Sequence, residues 1–203
     1  MTAPLDLALL HRLADVVVDA TTALDSYDYA RALERTETFF WSFCDDYLEL
    51  VKTRAYEDSS EGAPASARAA LAVALSVQLR LLAPFLPFVT EEVWSWWHEG
   101  SIHRSPWPEA RELAPADHEG DVGVLDVAAH VLGEIRRAKT AAQQSMRARV
   151  TKLTVIDTPE RLALLAQAQS DVCDAGGVDE LVMEPGPPEI IVEVAPKDLD
   201  GGR

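Results

Sequence analysis

The feature that most constrains this chain is the stretch from residue 26 to residue 57, which contains neither Pro nor Gly. Its apolar side chains recur at the three-and-four spacing that places one stripe of a helix against a core. With Ser26 as the N-cap, the stretch predicts one continuous helix of roughly 45 Å at about 1.5 Å per residue. The predicted buried stripe consists of Leu33, Phe40, Cys44, Tyr47, Leu48, Val51 and Ala55.

The remaining pattern predicts a mainly α protein: an antiparallel helical bundle followed by a small α/β module. We expect the bundle, with an extended Pro-rich segment, over residues 1–118, and the module over 119–203, ending in a disordered tail. The bundle adds a helix at 5–24, one at 66–82 and one capped by Thr90. The module has a helix at 121–144, strands at 151–157, 178–183 and 189–194, and a short helix capped by Thr158.

Composition limits the class of protein. The 203 residues are 48% hydrophobic, enough for a buried core, and the apolar runs are interrupted well before the ~20 residues of a membrane span. The N-terminus lacks a signal-peptide pattern. Only Cys44 and Cys173 are present, which suits a reducing compartment. We therefore expect a soluble, cytoplasmic protein without membrane partners and without sign of oligomerisation, that is, a monomer.

Catalytic signatures are missing from the sequence. Neither a GxxxxGK[ST] loop nor a GxGxxG turn occurs, and the five histidines are not paired at metal-ligand spacing. No Ser, His and Asp set stands out. We expect no catalytic residue, no metal and no cofactor in this chain.

The net charge and the local distribution of charge give opposite indications about nucleic-acid binding. A net charge of −16 argues against a freestanding nucleic-acid binder, since Lys and Arg supply most non-specific affinity for phosphate. Residues 136 to 152 nevertheless hold six basic residues and no acid. Such a run usually solvates a helix face, and the alternative is a surface that follows a phosphate backbone. Arg136 and Arg147 would share one helical face if the helix extended that far.

Aromatic residues beside Arg on the long helix suggest a second kind of contact. Phe39, Trp41, Arg31 and Arg35 have the chemistry that holds splayed bases of single-stranded nucleic acid. The alternative is that Phe39 and Trp41 pack against neighbouring helices. For Trp94, Trp96 and Trp97 structural packing is favoured, with Trp94 and Trp97 on the inner face of their helix.

Three motifs carry a family resemblance: YDYARALERTETFFWSFCDDYLELVKTRAY, LRLLAPFLPFVTEEVWSWW and GSIHRSPWP. Together they closely resemble the anticodon-binding region of valyl-tRNA synthetases. The third motif favours the valine enzymes over their isoleucine and leucine relatives. The resemblance spans nearly the whole chain and is strongest over residues 26–57 and 78–108.

The resemblance implies a tRNA-recognition domain of a class I aminoacyl-tRNA synthetase, a ligase of protein biosynthesis. Its partners would be the anticodon side of valine tRNA and a catalytic domain that uses ATP. The HIGH-like and KMSKS-like signatures of that domain do not occur in this chain. The resemblance gives Arg31, Arg35, Phe39, Lys52 and Arg54 as candidate anticodon-side contacts, and Arg136, Lys139 and Arg147 as candidate backbone contacts.

Two departures from the family predict weak tRNA affinity for the isolated chain. A helix that precedes this region in the family, and a coiled-coil arm that follows it in many members, are both missing from the sequence. Two competing hypotheses are a helical scaffold or interaction bundle without RNA binding and a freestanding paralogue that acts on tRNA in trans.

Overall fold

A computed structural model of the chain describes residues 2–113 and 120–196. The contacts group Met1–Asp45 with Glu57–Val122 as a first unit, and Asp46–Tyr56 with Gly123–Arg203 as a second unit. The chain is mainly α, a helical bundle followed by a small α/β module, as the sequence predicts. The predicted boundary at 118/119 and most of the predicted disordered tail lie outside the described residues.

Four of the described α-helices belong to the first unit. They are α1 (Pro4–Asp25), α2 (Tyr29–Ser42), α4 (Gly62–Leu82) and α5 (Pro87–Trp94), while α3 (Leu48–Ala55) belongs to the second unit. Pro4 lies in the first turn of α1, where its missing N–H costs nothing. The predicted N-cap Ser26 is wrong: Asp28 caps α2, and its carboxylate accepts a hydrogen bond from the Arg31 N–H at 3.1 Å.

The predicted long helix is helical from Tyr29 to Ala55 but contains a π-helical turn at Phe43–Tyr47. Its buried line also differs from the predicted one. On α2 the interior residues are Ala32, Thr36 and Phe39, whereas Leu33 and Phe40 are half-buried. The small side chains of Ala32 and Thr36 fit where the helix lies deepest, and the Thr36 hydroxyl donates to the Ala32 carbonyl at 2.9 Å. On α2 the buried line is therefore rotated by one residue from the predicted one, whereas Tyr47 and Val51 are fully buried as predicted.

Helix α4 packs against α1, α2 and α5 in the first unit. Its length and apolar composition alone would allow a membrane crossing, and the core helix of a folded unit has the same composition. Its buried line begins with small residues, Ala67, Ala70 and Ala74. Helix α1 supplies the large side chains of this core, with Leu5, Leu9, Leu10 and Leu13 buried.

Helix α5 begins earlier than predicted, at Pro87, so Thr90 is not its cap. The Thr90 hydroxyl instead donates to the Leu86 carbonyl at 2.8 Å. Trp94 is buried, as predicted, and stacks on His98 with ring centroids 3.8 Å apart. The predicted inward position of Trp97 is wrong, since 47% of it is exposed.

The second unit contains a three-stranded sheet in the order β2-β1-β3. Strand β1 (Val150–Asp157) pairs in parallel with β2 (Leu181–Pro185) and antiparallel with β3 (Glu189–Val194). Helices α6 (Gly123–Ala141), α7 (Pro159–Ala166) and α8 (Gln169–Gly176) complete the unit. The Thr158 cap of α7 is confirmed, its hydroxyl accepting from the Arg161 N–H at 3.4 Å. Helix α8 is absent from the sequence-based prediction, and β2 begins three residues later than predicted.

Two buried cations stabilise the second unit. Arg54 on α3 donates from Nε to Asp171 on α8 at 2.6 Å, and both residues are 7% exposed. Lys139 on α6 donates from Nζ to the carbonyls of Met146 (3.0 Å) and Gly176 (2.7 Å). Burial, and secondarily the positive charge of Arg149, lower the pKa of Lys139. Both cations are therefore part of the interior of the unit.

We predict that Arg54→Ala destabilises the second unit by about 3–5 kcal/mol, because it removes the guanidinium that balances the charge of the buried Asp171 carboxylate. Lys52→Ala on the same helix is the control. The exposed Lys52 pairs with the exposed Glu49 at 3.3 Å, and its loss should change the free energy of unfolding by less than ~0.5 kcal/mol. Urea denaturation followed by circular dichroism measures both. Equal effects of the two substitutions would show that the buried pair has no special role.

A second prediction concerns Asp157, which is 8% exposed. Burial raises the pKa of this carboxyl, but hydrogen bonds from Arg161 Nε (2.7 Å) and the Thr158 N–H (2.8 Å), with the charges of Arg161 and His130, bring the pKa below its ordinary value. The folded pKa is thus lower than the unfolded pKa. The ionised carboxylate stabilises the fold at neutral pH, and this contribution is lost as the pH falls through the folded pKa.

Asp157→Asn should therefore lower the urea midpoint at about pH 7 and flatten its decline below about pH 5, where the unfolded and then the folded carboxyl take up a proton. Glu160→Gln, at an exposed position of α7, is the control and should leave both unchanged. An unaltered pH dependence in the Asp157→Asn variant would contradict the assignment.

Candidate nucleic-acid interface

An apolar groove in the first unit is the strongest candidate site. Its volume is about 350 Å³. Helix α2 supplies one wall and the end of α4 with the following turn supplies the other. The lining residues are Leu33, Glu37, Phe40 and Trp41 on one side, and Leu82, Phe85 and Leu86 on the other.

The second wall follows from the prolines of the segment APFLPF. Helix α4 ends at Leu82, whose carbonyl accepts from the N–H groups of Phe85 (2.9 Å) and Leu86 (2.8 Å) in a tight turn. Pro87 disfavours the helical region for the residue before it, and Leu86 has φ −126° and ψ 59°. Leu86 is consequently left 48% exposed at the groove.

The first wall combines one flat ring with one carboxylate. Trp41 is 55% exposed, and its Nε1 donates to Glu37 Oε1, one helical turn earlier, at 3.4 Å. Phe40 contacts the Trp41 ring edge to face, with centroids 5.3 Å apart. A planar ligand could stack on Trp41 while an amino group on its edge donates to Glu37. Nucleobases combine these two properties.

Among the candidate contacts from the sequence, Arg31, Arg35 and Lys52 are exposed. Arg35 lies 3.6 Å from Asp19, and both side chains are about half exposed, so this pair constrains Arg35 only weakly. Within the described residues, no carboxylate lies within 4.0 Å of the Arg31 guanidinium. Arg31 and Arg35 are one turn apart on α2, at the end of the helix before the groove.

Three candidates are corrected by the structure because their side chains lie in the interior. Phe39 is 4% exposed and stacks on Phe43 with ring centroids 6.4 Å apart, so its face is closed to a base. Arg54 is held by Asp171, and Lys139 by two backbone carbonyls. None of the three presents its functional atoms at the surface.

Three of the six basic residues in the basic cluster at 136–152 lie beside carboxylates of the same unit. Arg136 lies 3.5 Å from Asp46, Arg137 pairs with Glu134, and Arg149 pairs with Asp179. Arg147 is exposed. Since α6 ends at Ala141, Arg136 and Arg147 do not share a helical face, and that expectation is wrong. Asp46 and Asp179 come from distant parts of the chain, which a search for local charge runs misses.

The described residues contain no group of three or more His, Cys, Asp or Glu side chains that could hold a metal ion. The groove is the site that sequence reasoning missed as a unit. Only Trp41 was recognised among its lining residues as a possible base contact. The exposed Trp41 with an acid four residues earlier is the local signal that could have indicated it.

Comparison with known proteins defines the class. A family model described as the anticodon-binding domain of tRNA ligase matches residues 6–153. The chain belongs to this family of anticodon-binding domains, and the resemblance inferred from the sequence motifs is confirmed.

The similar relatives are valine–tRNA ligases. That of Thermobifida fusca (strain YX) is 55% identical over 185 residues, covering 91% of this chain and 20% of the relative. The valine–tRNA ligase of Salinispora tropica is 52% identical, and the match covers 89% of this chain and 23% of the relative. The valine–tRNA ligase of Leifsonia xyli subsp. xyli is 47% identical, and the match covers 98% of this chain and 23% of the relative. The chain thus spans about a fifth of the length of the curated relatives that it matches.

The contrast between Phe39 and Trp41 gives a direct prediction. Phe39→Ala should lower the free energy of unfolding by about 3–5 kcal/mol, because it leaves a cavity in the core of the first unit. Trp41→Ala removes a half-exposed ring and should cost less than ~1 kcal/mol. Chemical denaturation of the two variants compares them. A larger cost for Trp41→Ala would contradict the assigned rotation of α2.

Proposed function

We propose that this chain docks the anticodon arm of valine tRNA and that its groove holds one unpaired base. The observation that carries the proposal is the half-exposed Trp41 ring beside the Glu37 carboxylate in an apolar groove of an anticodon-binding domain. A base stacked on an aromatic ring contributes about 1–3 kcal/mol, whatever its identity.

Glu37 would add base preference to this stacking. An ionised carboxylate only accepts hydrogen bonds, so it favours a base that carries an exocyclic amino group. Uracil carries none. Valine codons begin with GU, and the anticodons that pair with them end in AC. Adenine and cytosine both have an exocyclic amino group that could donate to Glu37.

Contacts to the RNA backbone would come from cations that remain at the surface. Arg31 and Arg35 lie on the same helix as the groove and would reach phosphates that flank the bound base. Lys52, Arg136 and Arg147 stay as further proposed contacts. The ion pairs of Arg136, Arg137 and Arg149 favour the competing scaffold hypothesis for the basic cluster, since a paired guanidinium releases less free energy on meeting a phosphate.

In this proposal the chain is part of a longer valine–tRNA ligase. The longer protein would attach valine to tRNA with ATP, through a catalytic domain outside these 203 residues. Docking of the anticodon arm here would orient the acceptor end toward that domain. We further propose a cytoplasmic, monomeric protein whose α/β module starts at about residue 119.

The test is fluorescence binding of the chain to valine tRNA and to the same tRNA with its anticodon replaced, across a salt series. We predict tighter binding of the cognate anticodon at every salt concentration. Trp41→Ala should weaken binding about tenfold or more, as loss of one stacked base implies. Glu37→Gln should reduce the preference for the cognate anticodon more than it reduces affinity.

A matched control lies just after the end of α5, where Trp96 Nε1 donates to Glu92 Oε1 at 3.3 Å across the same four-residue spacing. Trp96 is 65% exposed and does not line the groove. Trp96→Ala should leave both affinities unchanged. Equal, salt-sensitive binding of both tRNAs would reduce the role of the chain to phosphate contacts, and no binding of either would favour the scaffold hypothesis.

A further inference from the structure

Tyr27 occupies a backbone conformation that suits glycine. It follows α1 with φ +61°, in the left-handed region. Its N–H donates to the Leu24 carbonyl at 2.9 Å and the next N–H, of Asp28, donates to the Ala23 carbonyl at 2.8 Å. This is the Schellman pattern, in which glycine normally takes the left-handed position. A bulky side chain there is an outlier that destabilises the helix end relative to glycine.

No burial of the Tyr27 ring offsets this strain. The residue is 79% exposed, and Tyr29, at the start of α2, is 56% exposed. The two rings contact each other edge to face, with centroids 6.5 Å apart and planes at 78°. The chain therefore exposes two large aromatic rings to solvent. One of them, Tyr27, stands where glycine would make the fold more stable. Such strain is typical of functional positions.

The pair continues the outer line of α2 that forms the groove. Tyr29, Leu33, Glu37 and Trp41 are each four residues apart, so each neighbours the next on the helix surface, and the line turns by about 120° between Tyr29 and Trp41. Each step rises about 6 Å, which places Tyr29 roughly 18 Å from Trp41 along the axis. Several nucleotides of one strand fit along this distance. Arg31 lies on the intervening turn, exposed and without a carboxylate within 4.0 Å among the described residues.

We propose that Tyr27 and Tyr29 form a second stacking platform, which takes another unpaired nucleotide of the RNA strand whose base enters the groove. The inference rests on the proposed function and adds a second base site to it. Aromatic faces stack on any base, so this platform would add affinity without selecting sequence. Arg31 would contact a phosphate of the same strand.

Tyr27→Gly tests the platform with little risk to folding, because glycine adopts φ +61° freely. The probe is a valine anticodon stem-loop with 2-aminopurine placed, in separate molecules, at each unpaired position. The binding partner is the full 203-residue chain. We expect Tyr27→Gly to raise or preserve the melting temperature and to weaken RNA binding about fivefold or more. Tyr56→Ala, at an 85% exposed tyrosine after α3, is the control and should not weaken binding.

The fluorescence of 2-aminopurine locates the platform, since stacking quenches it. Tyr27→Gly should relieve quenching at one loop position and Trp41→Ala at a different one. If Trp41→Ala weakens binding and Tyr27→Gly does not, the platform is refuted and the groove stands. A lowered melting temperature of Tyr27→Gly would show that the ring serves packing and would also refute it. Failure of the unmodified chain to bind the stem-loop would overturn both the platform and the proposed function.

Discussion

The rotation of α2 about its own axis is the constraint on which the candidate site depends. Burial of Ala32, Thr36 and Phe39 directs one line of the helix inward. The line that carries Glu37 and Trp41 is thereby left at the surface, opposite the turn after α4. A rotation by one residue would bury other side chains and remove the aromatic wall. Packing of small side chains in the core thus decides which side chains of α2 line the groove.

The electrostatics of this chain differ from those of most nucleic-acid binders. The chain carries a net charge of −16, and half of its basic cluster is paired with carboxylates of the second unit. Fewer counterions would therefore be released on binding than the number of basic residues suggests, so affinity should depend less steeply on salt. Base stacking and a carboxylate that accepts from a base edge would supply the selectivity. Orientation of a tRNA within a longer enzyme would not require tight binding by this part alone.

Local signals in the sequence predicted much of the fold. Strand β3 has the predicted bounds, and the Thr158 cap with Pro159 correctly places the start of α7. Errors arose where two local solutions compete. Both Ser26 and Asp28 are good N-cap residues. The backbone hydrogen bonds that end α1 include the N–H groups of Ser26 and Asp28, so the next helix begins only after Asp28, which is its cap. The burial of Arg54 depends on Asp171, 117 residues away, which no local pattern indicates. The same holds for the groove, whose walls come from separate helices.

The most direct test of the central claim is a nuclear magnetic resonance titration of the chain with a valine anticodon stem-loop, following backbone amides and the Trp41 indole. We expect the largest chemical-shift changes at the backbone amides of residues 33–41, Phe85 and Leu86. The Trp41 indole signal should also shift, because a base stacks on its ring. Shifts confined to residues 136–152, or no shifts at all, would contradict a base-binding role for the groove.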